Sequence, residues 1–288
     1  MTSKIDSEVH GVRYGVGSRS MEIEDLTKEM IEYLDRNQLD AACVLAGGFP
    51  SHGHNRNVPA REIERICKKN PKRLIPFCRF FYENPIQPDG WGDEKDRALG
   101  EFDSMLKSGS FKGLAEVNMI ESGAEDPLKA CRAYYPFMEI LSKYKLPVEI
   151  HTGFSGKRPM SFYDPILVDE LASRFPEVPF ILNHCGTMLP PYGDLSLYIA
   201  AKNDNLFLQI SQLTLVGDHS GHEIYKNYVA RALAAFRVGA SKLIFGTDWN
   251  PENGALCDLT VNLLKEVKMS ENERDLVMGG TLQKILGL

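Results

Sequence analysis

Short apolar runs rich in β-branched residues alternate with amphipathic segments along most of this chain. The strand-like runs are "KIDSEVHGV" (4–12), "LDAACVLAG" (39–47), "RLIPFCRFF" (73–81), "FKGLAEVNMI" (111–120), "LPVEIHTG" (146–153), "VPFILNHCG" (178–186), "LFLQISQ" (206–212) and "KLIFGTDW" (242–249). Apolar positions at helical spacing with charged opposite faces mark 23–37, 60–71, 136–145, 165–176 and 228–239 as helices. Several of these end in Asn-Pro, Phe-Pro or Val-Gly, which are stop signals. Eight strands alternating with helices predict parallel βαβ units of the α/β class, and eight such units close into a single-domain (β/α)₈ TIM barrel. An open doubly wound sheet is the rival architecture. No low-complexity stretch or charge run divides the chain, so 1–288 is read as one domain.

Composition fits that picture. The 288 residues are 43% hydrophobic and 25% charged, enough to bury a sizeable core. A net charge of −6 argues against nucleic acid or an anionic membrane as partner, while leaving room for a small anionic substrate held by local arginines. No apolar run reaches spanning length, and "MTSKIDSEVHG" has no signal-peptide apolar segment. Six scattered cysteines (43, 67, 78, 131, 185 and 257), with no CxxC pair, read as reduced thiols of a cytoplasmic protein.

The unusual polar residues fall on the strands. Glu8 and His10 are two apart in the first and therefore share a face. His151 closes the fifth, His184 the sixth and Asp248 the eighth. In a barrel, catalytic groups come from the C-terminal ends of several strands. Taken singly, each has an ordinary alternative: a hydrogen-bonded histidine, a turn aspartate, a solvated glutamate. Together the five supply the nitrogen and oxygen ligands that suit a divalent ion such as Zn²⁺.

The ordered series "IDSEVH", "PVEIHTG", "FILNHCG" and "LIFGTDWN" resembles the amidohydrolase superfamily, in the branch that includes aminocarboxymuconate semialdehyde decarboxylase. The resemblance implies a distorted (β/α)₈ barrel with one or two divalent metals. It places Glu8, His10, His151 and Asp248 as metal ligands, and His184 beside substrate as a polarising or proton-handling group. Asp248 is then both ligand and catalytic residue. One ion per chain is expected, zinc first and manganese second, because the fourth strand lacks a bridging lysine. Glu116 near that place is either a bridge or a carboxylate paired with a neighbouring Lys or Arg.

Two residues depart from the pattern. The usual first-strand His-x-His begins here with Glu8, which favours the decarboxylase group. The glutamate those enzymes tend to carry after the sixth-strand His-x-Gly is here Thr187.

Substrate contact is expected from Arg56 in the loop after the second strand, Arg79 at the end of the third, and Trp249 beside Asp248, since arginine binds carboxylates in two-pronged fashion. His52, His54, His219 and His222 are given no role. The expectation is a metal-dependent hydrolase, a homo-oligomer of two or more copies, acting on a small carboxylated substrate such as a lactone, amide or ring compound. A non-oxidative decarboxylase is the alternative, and a metal-free binding or scaffold barrel the third reading.

Overall fold

A computed structural model describes residues 2–12, 22–46, 58–79, 94–122, 124–153 and 159–288. Its strands are β1 (Ile5–Gly11), β2 (Ala41–Ala46), β3 (Leu74–Phe77), β4 (Leu114–Val117), β5 (Val148–His151), β6 (Phe180–Asn183), β7 (Leu206–Gln209) and β8 (Leu243–Ile244). Each lies inside one of the runs that the hydrophobic pattern marks. All pair in parallel, as a sheet of order β1-β2-β3 and a second of order β4-β5-β6-β7-β8. Single bridges from Cys78 to Leu114 and from Val9 to Trp249 join the two at both seams, closing an α/β barrel.

The helices wrap the outside. They are α1 (Ile23–Arg36), α2 (Ala60–Lys69), α3 (Glu94–Lys107), α4 (Pro127–Ala133), α5 (Tyr135–Tyr144), α6 (Ile166–Arg174), α7 (Tyr192–Lys202), α8 (Leu213–Val216), α9 (Gly221–Ala234), α10 (Gly254–Glu266), α11 (Glu271–Asp275) and α12 (Thr281–Leu286). Helix α1 shows why they dock: Ile23, Leu26, Met30, Tyr33 and Leu34 repeat at helical spacing and are all buried. The helix expected at 228–239 instead runs from Gly221 to Ala234, because Tyr225, Tyr228, Val229 and Ala232 form its buried face. Inside the barrel, Ile5, Cys43, Leu45, Ile75, Phe77 and Ile181 pack a separate apolar cluster beneath the C-terminal mouth. Among the described residues no helix is long and apolar enough to cross a membrane.

Two irregularities aim the chemistry. In β1 the register with β2 advances three residues, from Asp6 to Val9, while β2 advances two, from Ala42 to Val44. In β4 the same happens between Leu114 and Val117 against Val148 and Ile150 of β5. Each is a one-residue bulge, and each contains a carboxylate, Glu8 in β1 and Glu116 in β4. The outward residues after each bulge, Val9 and Val117, pack in the outer core.

Strand β8 is shorter than its apolar run. The Phe245 amide leaves the ladder to donate to the Val277 carbonyl (2.9 Å), and the Phe245 carbonyl accepts from the Ser7 amide (3.1 Å). Pairing resumes at Trp249, whose amide donates to Glu8 O (3.1 Å) and whose carbonyl accepts from the His10 amide (2.8 Å).

Candidate metal centre

Strand β1 carries Glu8 and His10 into the mouth of the barrel, both fully or almost fully buried. Glu8 is gripped from below: Asn183 Nδ2 donates to Oε1 (3.0 Å), and Ser211 Oγ (2.9 Å) and Gln209 Nε2 donate to Oε2. His10 Nε2 lies 2.9 Å from Asp248 Oδ1 and 3.7 Å from Glu8 Oε1.

Glu116 lies at the centre. Its Oε1 is 2.7 Å from His151 Nδ1 and 3.3 Å from His184 Nε2. Its Oε2 is buried and has no hydrogen-bond partner among the described residues. The reading of Glu116 as the partner of a Lys or Arg is therefore corrected: its partners are histidines. One ligand atom each from Glu8, His10 and Glu116 lie within 4.8 Å of one another, and so do those of Glu116, His151 and His184. The two triads share Glu116. Burying two carboxylates this deeply without a cation costs several kcal/mol, and the orphaned Oε2 points the same way. The donor set fits a divalent ion of the Zn or Mn type.

Electrostatics in the metal-free chain follow from this crowding. Burial opposes charge on Glu116, but His151, His184 and His10 outweigh it and hold the carboxyl well below its ordinary range. Burial likewise opposes charge on His184, yet Glu8, Glu116 and Asp248 hold its imidazole up at about 10. Burial and the Glu8 charge push Glu149, one layer deeper on β5, well above the usual carboxylate range. Asp248 is raised by burial and by Glu8, against the pull of His10.

His151 closes β5 as the pattern predicts. His184 and Asp248 do not close strands; both lie beyond them, in the left-handed region. After β6 the chain makes a left-handed turn, with φ of 61° at His184, 48° at Cys185, 60° at Gly186, 73° at Thr187 and 61° at Met188. Such a run costs about 1–2 kcal/mol per non-glycine residue, so neighbours must hold it. Thr152 Oγ1 accepts from the Gly186 amide (2.9 Å) and donates to Asn183 O (2.5 Å). A Cβ at Gly186 would meet Pro165, Tyr192 O and Ser196 within 2.9 Å, so only glycine fits. The turn lays the His184 ring 4.8 Å from the His151 ring, with Nδ1 2.8 Å from Ser211 Oγ. Asp248 has φ of 58°, with its side chain 21% exposed at the rim.

The remaining expectations divide. Arg79 does not end β3 but is buried two residues beyond it, after Ile75 and Phe77, which belong to the inner cluster. Trp249 is 2% exposed and stacks on Tyr33 (5.4 Å between centroids), so its indole serves packing and not substrate contact. Arg56, His52 and His54 lie outside the described residues. The rings of His219, before α9, and His222, in its first turn, meet edge-on (4.9 Å between centroids), and His222 Nε2 is 2.9 Å from Val216 O. Tyr163, edge-on to His151 at 6.2 Å, is a neighbour that sequence reasoning missed, because nothing in "MSFYD" marks it.

Residues 81–288 match the family model described as amidohydrolase. No curated protein matches the chain. Among solved structures, an amidohydrolase from Burkholderia multivorans with bound zinc is similar at 16% identity and TM-score 0.69, covering 99% of each chain. A probable 2-pyrone-4,6-dicarboxylic acid hydrolase from Acinetobacter baumannii, with citric acid bound, matches at 16% identity and TM-score 0.66 over 100% of both chains. The 5-carboxyvanillate decarboxylase of Novosphingobium aromaticivorans, with bound manganese, matches at 12% identity and TM-score 0.60, covering 99% of this chain and 97% of that one.

Proposed function

The chain belongs to the amidohydrolase family, and from that premise we propose that it is a metal-dependent hydrolase of a small carboxylated lactone, amide or ring compound. The observation that carries this reading is the sharing of Glu116 by two buried ligand triads. Glu8, His10, His151, Glu116 and Asp248 are the residues that would hold the ion. Zinc suits the donors best and manganese second, as in two of the structural relatives. One ion per chain is favoured, with Glu116 the group through which a second would be held. A bound divalent ion supplies Lewis acidity and lets a water ionise near neutral pH.

The chain's own residues do the rest. Asp248, the more exposed partner of its pair with His10, takes the proton of the attacking water at Oδ and returns it to the leaving group. His184, oriented by Ser211 through Nδ1, donates from Nε2 to the oxygen on which charge develops. Arg79 pairs with the substrate carboxylate. We place the protein in the cytoplasm, in keeping with six free, buried thiols. The whole span 1–288 would act as one catalytic unit. In solution it would be a homo-oligomer, for which the exposed Phe236 and Tyr198 offer apolar surface.

A second reading, non-oxidative decarboxylation of an aromatic or unsaturated acid, is favoured by Glu8 standing where the family's first-strand histidine is usual, and by the fold shared with a decarboxylase. The test is product analysis on carboxylated lactones, amides and hydroxylated aromatic acids with zinc- or manganese-loaded protein. Release of acid, alcohol or amine supports hydrolysis, and carbon dioxide supports the lyase. A chain that takes up neither metal would leave the binding-barrel reading.

A further inference from the structure

Asp6 lies just before the β1 bulge and outside the ligand set, yet its carboxylate is fully buried and every contact it makes leads toward Asp248. Oδ1 accepts from the Thr247 amide (3.1 Å) and from the Glu8 amide (3.0 Å). Oδ2 accepts from the Thr247 hydroxyl (2.6 Å) and from the Tyr33 hydroxyl (2.7 Å) on α1. Thr247 is thus held at both its amide and its side chain by one carboxylate. The next residue, Asp248, sits at φ of 58°, the left-handed region, which aspartate enters more readily than most residues but at a cost that fixed flanks offset. On the far side, Trp249 is pinned by its backbone bonds to Glu8 and His10 and by the Tyr33 ring. Tyr33 therefore touches both flanks, through its hydroxyl and through its face.

We propose that Asp6 is a positioning residue: through Thr247, and braced by Tyr33, it holds Asp248 in its left-handed conformation and so sets the carboxylate against His10. The consequence for metal affinity rests on the reading of Asp248 as a ligand; the positioning itself does not. A carboxylate is needed here because Oδ1 and Oδ2 must each accept two donors. An amide in its place would turn an NH₂ group toward two of them.

The decisive variants are Thr247→Val, which removes the hydroxyl at nearly constant shape, and Thr247→Ser, which restores it. Asp6→Asn is the companion. The first readout is the ¹⁵N-histidine NMR spectrum of the metal-free chain, where the His10 Nε2 signal reports its pairing with Asp248. The second is Mn²⁺ affinity. In Thr247→Val and Asp6→Asn the His10 signal should move toward that of Asp248→Asn, and Mn²⁺ affinity should fall about tenfold or more. Thr247→Ser should return both to the wild-type values. If Asp6→Asn does not fold, the threonine pair decides. A wild-type His10 signal in Thr247→Val, whatever its melting temperature, would overturn the proposal and leave Asp6 a packing residue. A wild-type chain that binds neither Zn²⁺ nor Mn²⁺ while its His10 signal still moves in Thr247→Val would end the metal reading and uphold the positioning role.

Discussion

Oε1 of Glu116 lies 2.7 Å from Nδ1 of His151, both buried at the mouth of the barrel. A carboxylate and an imidazole this close, with His184 on the other side, form the half of the site that most needs a cation or a proton. Glu116→Gln should therefore abolish tight metal binding while keeping the shape of the strand. We expect a loss of at least about tenfold in Zn²⁺ affinity, read by competition with a chelating dye. Wild-type affinity in Glu116→Gln would remove Glu116 from the ligand set.

The roles of the two histidines follow. The sequence pattern separates His151 as a ligand from His184 as a catalytic group, so His184→Ala is expected to keep metal that His151→Ala loses. The left-handed turn brings the His184 ring to the same oxygen of Glu116 that His151 meets from the end of β5, which argues for comparable losses. Metal content of the two purified variants decides: equal loss makes His184 a ligand, and retention in His184→Ala alone restores the division of roles.

The barrel was legible because eight apolar runs of strand length recur between helical patterns, and each run contains its strand. Glu8, His10 and His151 could be placed because i and i+2 share a face and because "VEIH" ends a run. What a period of two cannot show is a bulge. The extra residue in β1 and in β4 changes which neighbours face inward, and Glu116 is inward for that reason. Equally hidden was the left-handed turn at "HCGTM", since only one of its five residues is glycine. Trp249 looked like a substrate contact because it follows Asp248. A helix 216 residues earlier in the chain supplies the Tyr33 ring that buries it, and no local pattern carries that information.

Stability should depend on pH in the metal-free protein. Folding raises the His184 imidazole from 6.5 to about 10. A base raised on folding adds stability that is fully present below its unfolded pKa and is lost as pH climbs through the folded one. The metal-free melting temperature should thus fall between about pH 6.5 and about pH 10, more than that of His184→Gln. Burial opposes charge on His10, but Asp248 and Glu8 hold its imidazole well above the ordinary range. A metal bound at His10 displaces that proton, so uptake at pH 8 should release about one proton per chain. Calorimetry in two buffers of different ionisation enthalpy measures it; a binding heat independent of buffer would mean that His10 is not charged before loading.

Asp248→Asn tests the proton role. The amide keeps the shape of the rim but cannot accept a proton at neutral pH. Turnover at saturating metal should drop by about 10² to 10⁴, while the melting temperature of the loaded protein changes little. An active variant would assign the proton transfer elsewhere.

The central claim, a divalent metal held where the two triads meet at Glu116, is tested most directly by elemental analysis of the wild-type chain after expression with zinc and, separately, with manganese. The expected result is about one tightly held ion per chain, retained through gel filtration and lost in Glu116→Gln. No transition metal under either condition, with the protein folded, would contradict it.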